Sequence, residues 1–122
     1  MKPLMLCVCM DPGRVMRISM IAAALGIAVR EAKEDQAGQR LDALCGLAAS
    51  KTAAPKGKIG EEMMVLAFFP DRLMDALFGA IRKNGMERPR LTAVLTPANR
   101  SWTLEKLYRE LKEEAAALGR RS

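Results

Sequence analysis

The chain has 122 residues, half of them hydrophobic and 28% charged. That length suits one domain, and that composition excludes a disordered chain, a collagen-like fibre and a disulfide scaffold. Histidine is absent, which excludes Ser-His-Asp and Cys-His nucleophile systems, histidine-ligated zinc and a histidine pH switch.

The first predicted element is Leu4–Met10 (LMLCVCM), a continuous apolar run stopped by Asp11-Pro12-Gly13. It is too short for a helix and does not alternate, so it reads as a strand covered on both faces. Val15, Ile18, Ala22 and Leu25 repeat at helical spacing, which predicts a helix from about Gly13 to Leu25, ended by Gly26. Ile27–Arg30 is a second, shorter strand. Residues 33–48 begin polar and become weakly amphipathic at Leu41, Leu44 and Leu47, suggesting a short helix. Residues 49–60 mix lysines, small residues, a proline and glycines without periodicity, which marks a connector.

The pattern then recurs. Met63–Phe69 (MMVLAFF) is a second continuous apolar strand, punctuated by Pro70-Asp71. Leu73, Leu77 and Ile81 place a helix over Asp71–Lys83, and Asn84-Gly85 ends it. Leu91–Thr96 is the fourth strand, followed by the turn-rich Thr96–Ser101. A final helix is expected from Thr103 to Leu118, with Thr103 as its cap and Gly119 as its stop. DPGRVMRISMIAAALG and PDRLMDALFGAIRKNG look like diverged copies of one strand-to-helix unit.

This order predicts one α/β domain over 1–122, with a first half at 1–48, a connector at 49–60 and a second half at 61–119. The two wholly apolar strands should be central and the other two at the edges. The expected architecture is a small four-stranded, mainly parallel sheet of order 2-1-3-4. A ferredoxin-like α+β arrangement is the alternative. In an open parallel sheet, ligands bind beyond the strands' carboxyl ends where the winding reverses, here between strands one and three. The residues expected there are Asp11, Gly13, Arg14, Asp71 and Arg72, with Thr96, Asn99, Arg100 and Trp102 on the same rim. Helix N-termini and three arginines make an anion or a peptide a reasonable ligand. Each residue also has a plain structural use: Asp11, Pro12 and Gly13 in turning the chain, Asp71 in starting a helix, Asn99 in an Asx-turn, Trp102 in packing.

Half of the net charge of +6 sits in the connector, on Lys51, Lys56 and Lys58. The remaining basic groups are interleaved with acids, and only five aromatics are present, which argues against nucleic acid as a partner. Cys7 and Cys9 on one strand would share a face, and with Cys45 they would make a soft metal site. Without a C-x-x-C pair the reading is three buried thiols, no metal and no cofactor, in a reducing compartment. The longest uncharged apolar stretch, Ile18–Val29, has 12 residues, short of a membrane span, and Asp11, Arg14 and Arg17 interrupt any signal-peptide core. The cytoplasm is therefore the expected location.

Residues Glu62–Glu114 resemble a known family. MMVLAFF, then Leu73, Leu77 and Gly85, then LTAVLTP, Asn99, Trp102 and LEKLYRELKEE carry the resemblance. The family is a bacterial domain catalogued as domain of unknown function 3783, which commonly has threonine where Ala98 stands. The resemblance implies no activity, substrate or cofactor. It directs interest to Thr96, Pro97, Asn99 and Trp102. The functional expectation is a non-enzymatic binding or regulatory module. Its rivals are a small enzyme with Asp11 or Asp71 as general base, and an interaction subunit that self-associates through edge strands or an adaptable methionine surface.

Overall fold

The computed structural model describes residues 1–47 and 58–121. Most of the expected connector, residues 49–57, lies outside the described residues. Eight elements with a single 3-10 turn (Glu34–Gln36) follow one another as β1 (Leu4–Val8), α1 (Pro12–Ala24), β2 (Ala28–Ala32), α2 (Leu41–Leu44), β3 (Met63–Ala67), α3 (Asp71–Lys83), β4 (Leu91–Val94) and α4 (Leu104–Arg121). They form one four-stranded sheet of order β2-β1-β3-β4.

The apolar patterning explains that order. Every residue of β1 and of β3 is buried, whereas β2 and β4 expose part of their length. Only central strands have helices over both faces and a neighbour on each side. Met5, Cys7, Met64 and Leu66 face a layer made by α1 (Val15, Ile18, Ala22) and α3 (Leu77, Ile81). Leu6, Val8, Met63 and Val65 face the opposite layer, made by Leu41, Leu44, Leu104 and Leu107.

One expectation is corrected. Within each half the strands are parallel, β1 with β2 and β3 with β4, but β1 and β3 run antiparallel, with Met5 opposite Leu66 and Leu6 opposite Val65. The crevice expected where two parallel central strands would reverse the winding is therefore not formed. The two βαβ halves are instead related as by a half-turn about an axis normal to the sheet, which keeps α1 and α3 on the same face. A run of buried apolar residues carries no direction, since side chains alternate across the faces in either pairing. Direction followed from the inferred crossover after β2, and no long helix supplies it. Among the described residues, 33–47 contain only the 3-10 turn and the four-residue α2.

That short segment binds the second half instead. Leu41 N–H donates to the Trp102 carbonyl and Asp42 N–H to the Arg100 carbonyl, while Leu104 N–H donates to Gln39 and Glu105 N–H to Ala37. Two first-turn amides of α4, which have no partner within their own helix, are thus satisfied from the first half, while Lys106 N–H donates to Thr103 Oγ1 at 3.1 Å, as expected of a cap. Asp42 is 2% exposed, and its carboxylate is held by Arg40 at 2.6 and 3.2 Å. Several smaller differences concern boundaries: β1 stops at Val8 rather than Met10, β4 at Val94 rather than Thr96, Phe68 and Phe69 stand outside β3, and α4 runs through Gly119 to Arg121.

Candidate functional site

Because β1 and β3 are antiparallel, β1 and β2 leave the sheet at one end and β3 and β4 at the other. Asp11, Gly13 and Arg14 therefore lie at the first end. Asp71, Arg72 and the loop from Thr96 to Trp102 lie at the opposite end.

The β1/β2 exit is closed by its own side chains. Asp11 caps α1, its Oδ2 accepting from Gly13 N at 3.0 Å and Arg14 N at 3.3 Å. A Cβ at Gly13 would stand 3.0 Å from that same oxygen, so any larger residue there would press on the cap. The cap places a carboxylate where an external anion would bind. Arg14 is committed as well: its Nε donates to Glu62 at 3.2 Å and its Nη2 to the Glu87 carbonyl at 2.8 Å. Beside it Glu61 accepts from Arg90 at 2.7 and 3.0 Å and from Lys112 at 3.4 Å. The hydrogen bond from Arg90 holds the Glu61 carboxyl below the usual range.

The β3/β4 exit is built differently. α3 begins at Pro70 without a side-chain cap. Asp71 and Arg72 in its first turn are exposed. After β4 the chain folds into a tight loop held by two residues. Asn99 Oδ1 accepts from Thr96 N at 2.9 Å, Asn99 Nδ2 donates to the Val94 carbonyl at 3.0 Å, and Thr96 Oγ1 accepts from Asn99 N at 3.3 Å. Asn99 is thus consumed in shaping the loop and in covering an outward carbonyl at the free edge of β4. Trp102 packs toward α4, with the Lys106 ammonium 4.7 Å from its ring centre. Thr96 and Arg100 are the two expected residues that meet in one cavity. It has a volume of about 210 Å³ and is lined by Leu47, Phe68, Leu95, Thr96, Pro97 and Arg100. The Arg100 side chain is exposed and has no hydrogen-bond or ion-pair partner among the described residues.

Phe68 forms one wall of this cavity, and its backbone is left-handed, with φ 63°. Cys9, one residue past β1, has φ 51°. Both repeats therefore turn from strand to helix through a non-glycine residue in a conformation that costs roughly 1–3 kcal/mol. Strand alternation stops there, so Cys9 is not on the face of Cys7. Cys7, Cys9 and Cys45 pack in three different clusters, and the shared face expected for Cys7 and Cys9 is absent. Burial, reinforced by Glu31 and Glu62 against an opposing Arg14, pushes the Cys7 thiol up to about 12. Burial pushes Cys45 up to about 11 against the influence of Arg30, and burial followed by Glu34 and Asp35 raises Cys9. None of the three is a thiolate near neutrality. Asp11 and Asp71 are exposed and stand at opposite ends of the sheet, which removes the motive for reading either as a general base.

The comparisons with known proteins bear on the second of these two ends. Residues 62–118 match the family model described as Domain of unknown function (DUF3783). No curated protein and no solved structure gives a significant match to the chain. The DUF3783 segment contains β3, α3, β4 and almost all of α4, and so contributes every cavity residue except Leu47. In the sequence Leu47 stands out only as part of an amphipathic stretch, and Phe68 and Leu95 only as strand residues. The Phe-Phe-Pro that ends the apolar run was the one signal that the strand stops early. No described helix is long and apolar enough to cross a membrane.

Proposed function

We propose that the chain is a small-ligand binding module whose site is the cavity at the β3/β4 exit. The observation that carries this reading is the pairing of that cavity with Arg100. Apolar walls from Phe68, Leu95, Pro97 and Leu47 surround a space that a guanidinium without a described partner borders. Small-molecule sites combine mostly apolar walls with few polar groups in this way. The contrast with the β1/β2 exit supports it, since every charged group expected to bind there is already engaged within the protein. Amide NMR spectra recorded during titration with small organic acids and amines test the reading. Saturable shifts confined to Leu47, Phe68 and Leu95–Arg100 are expected. Shifts confined to the Asp11–Arg14 turn, or none with any probe, overturn it.

A second reading, self-association, is favoured by α1. Its solvent side carries Met16 and Met20, 68% and 71% exposed, beside Ala23 and Ala24, whereas α3 exposes Arg72, Asp75, Arg82 and Lys83. Sedimentation at several concentrations separates the cases: a dimer that Met20→Glu dissolves supports it, and a monomer mass at all concentrations overturns it.

A further inference from the structure

The composition of the cavity narrows the ligand further, and the narrowing rests on the binding reading above. We propose that the ligand is a small apolar monocarboxylate, a short-chain or aromatic acid, seated with its apolar part against Phe68, Leu95, Pro97 and Leu47 and its carboxylate on the Arg100 guanidinium.

Size is the first constraint. Drug-sized ligands occupy roughly 300–1,000 Å³, and this cavity offers about 210 Å³. That space suits a single ring or a short alkyl chain.

Charge is the second constraint. Among the described residues, Arg100 is the one cation lining the cavity, and no acid lines it. The nearest acid along the contacting segment, Asp42, is held by Arg40. A guanidinium with no ion-pair partner among the described residues, beside an apolar wall, suits an anion that brings its own apolar body.

The inventory of donors separates carboxylate from phosphate. A phosphate dianion is usually held by several donors, commonly main-chain amides at a loop or helix start. Here the amides of Thr96 and Asn99 are both engaged inside the loop, by Asn99 Oδ1 and Thr96 Oγ1. One planar guanidinium remains, and its paired N–H groups match the two oxygens of a carboxylate. Thr96 adds one donor. Its hydroxyl accepts from Asn99 N, and a hydroxyl that accepts still has its own proton to give.

Phenylacetate, hexanoate, hexanamide and inorganic phosphate, titrated separately into the full chain and followed by amide NMR shifts, test the assignment. Phenylacetate or hexanoate is expected to shift Phe68, Leu95, Thr96 and Arg100 saturably. Hexanamide, which matches hexanoate in size but carries no charge, should bind roughly tenfold more weakly or worse, the scale of a charge-assisted pair. Arg100→Gln should weaken hexanoate by a similar factor, and Arg100→Lys, which keeps the charge without the fork, should recover part of it. The Arg100 side chain is exposed and its carbonyl makes the contact to Asp42, so both variants are expected to fold, which their amide spectra report. Equal affinity for hexanamide and hexanoate, or cavity shifts with phosphate and not with either acid, overturns the ligand class and leaves the binding reading standing. No cavity shift with any of the four overturns both.

Discussion

The two halves of this chain are the same strand–helix–strand unit used twice, and they differ most where strand turns into helix. In the first half the turn is sealed: Asp11 caps α1, Arg14 reaches Glu62 and the Glu87 carbonyl, and Gly13 leaves room for the capping oxygen. In the second half the turn begins α3 without a side-chain cap, Phe68 walls a cavity, and Arg100 borders it without a described partner. Antiparallel β1 and β3 set these two turns at opposite ends of the sheet, so one end can be locked by ion pairs without closing the other. The difference teaches that a repeated scaffold can lock one strand-to-helix turn and leave the other open by distance alone.

The largest effect tests whether the halves share one core. Ile18 and Leu77 are fully buried counterparts on α1 and α3. Ile18→Ala and Leu77→Ala should each cost about 2–5 kcal/mol in urea unfolding, with one transition reported by both halves. Two separate transitions would break the comparison, because the halves would then be independent units.

The next effect depends on pH. Cys7 sits where its counterpart in the second half, Leu66, cannot titrate. The folded thiol is raised to about 12, above the roughly 8.5 of an exposed thiol. A raised folded value means that the neutral thiol's contribution is complete below pH ~8.5 and is lost as pH rises toward the folded value. Cys45, raised to about 11, acts in the same direction. Urea midpoints measured from pH 8 to 11 should fall, by up to about 1.4 kcal/mol per pH unit for each thiol. Cys7→Ala should flatten that slope, and an unchanged slope would show that the Cys7 site is open to water.

A smaller effect distinguishes the two turns directly. Asp11→Ala should cost about 1 kcal/mol, the typical value of an N-cap. Asp71→Ala, which removes no capping bond, should stay within about 0.5 kcal/mol. Equal losses would mean that α3 is capped in solution as α1 is.

The smallest effect concerns the left-handed residues. Cys9→Gly should be close to neutral in thermal unfolding, because backbone relief of roughly 1 kcal/mol offsets the lost thiol packing. Phe68→Gly should be destabilising, since the ring packs against Leu4, Cys45 and Ala67. Similar changes at both positions would show that the ring adds nothing beyond the backbone turn.

Much of the fold was legible because burial leaves a mark in sequence. LMLCV and MMVLA, buried at every position, read as central strands, and the 3.6-residue spacing of Val15, Ile18 and Ala22 and of Leu77 and Ile81 located the two helices that cover them. Strand order followed from which runs could tolerate water on one side. The site was legible only in part. Thr96 and Arg100 were nominated and meet in the cavity, while Asn99 and Trp102, from the same motif, hold the loop and pack toward α4. Asp11 and Arg14 were nominated for the same rim and stand at the other end of the sheet. Leu47 could not have been found from spacing, since it joins the cavity from the first half, whose residues 37–42 dock on the family segment.

Local patterning determined which residues are strand, which are helix and which are buried, because hydrophobic periodicity is a property of neighbours along the chain. The direction of β3 against β1 was decided by tertiary structure alone. Side chains alternate across the sheet in either pairing, so burial along the chain does not choose between them. That one choice set Asp11, Gly13 and Arg14, a third of the expected site, about a strand's length away from the rest and left Arg100 beside an apolar cavity instead of opposite Asp11.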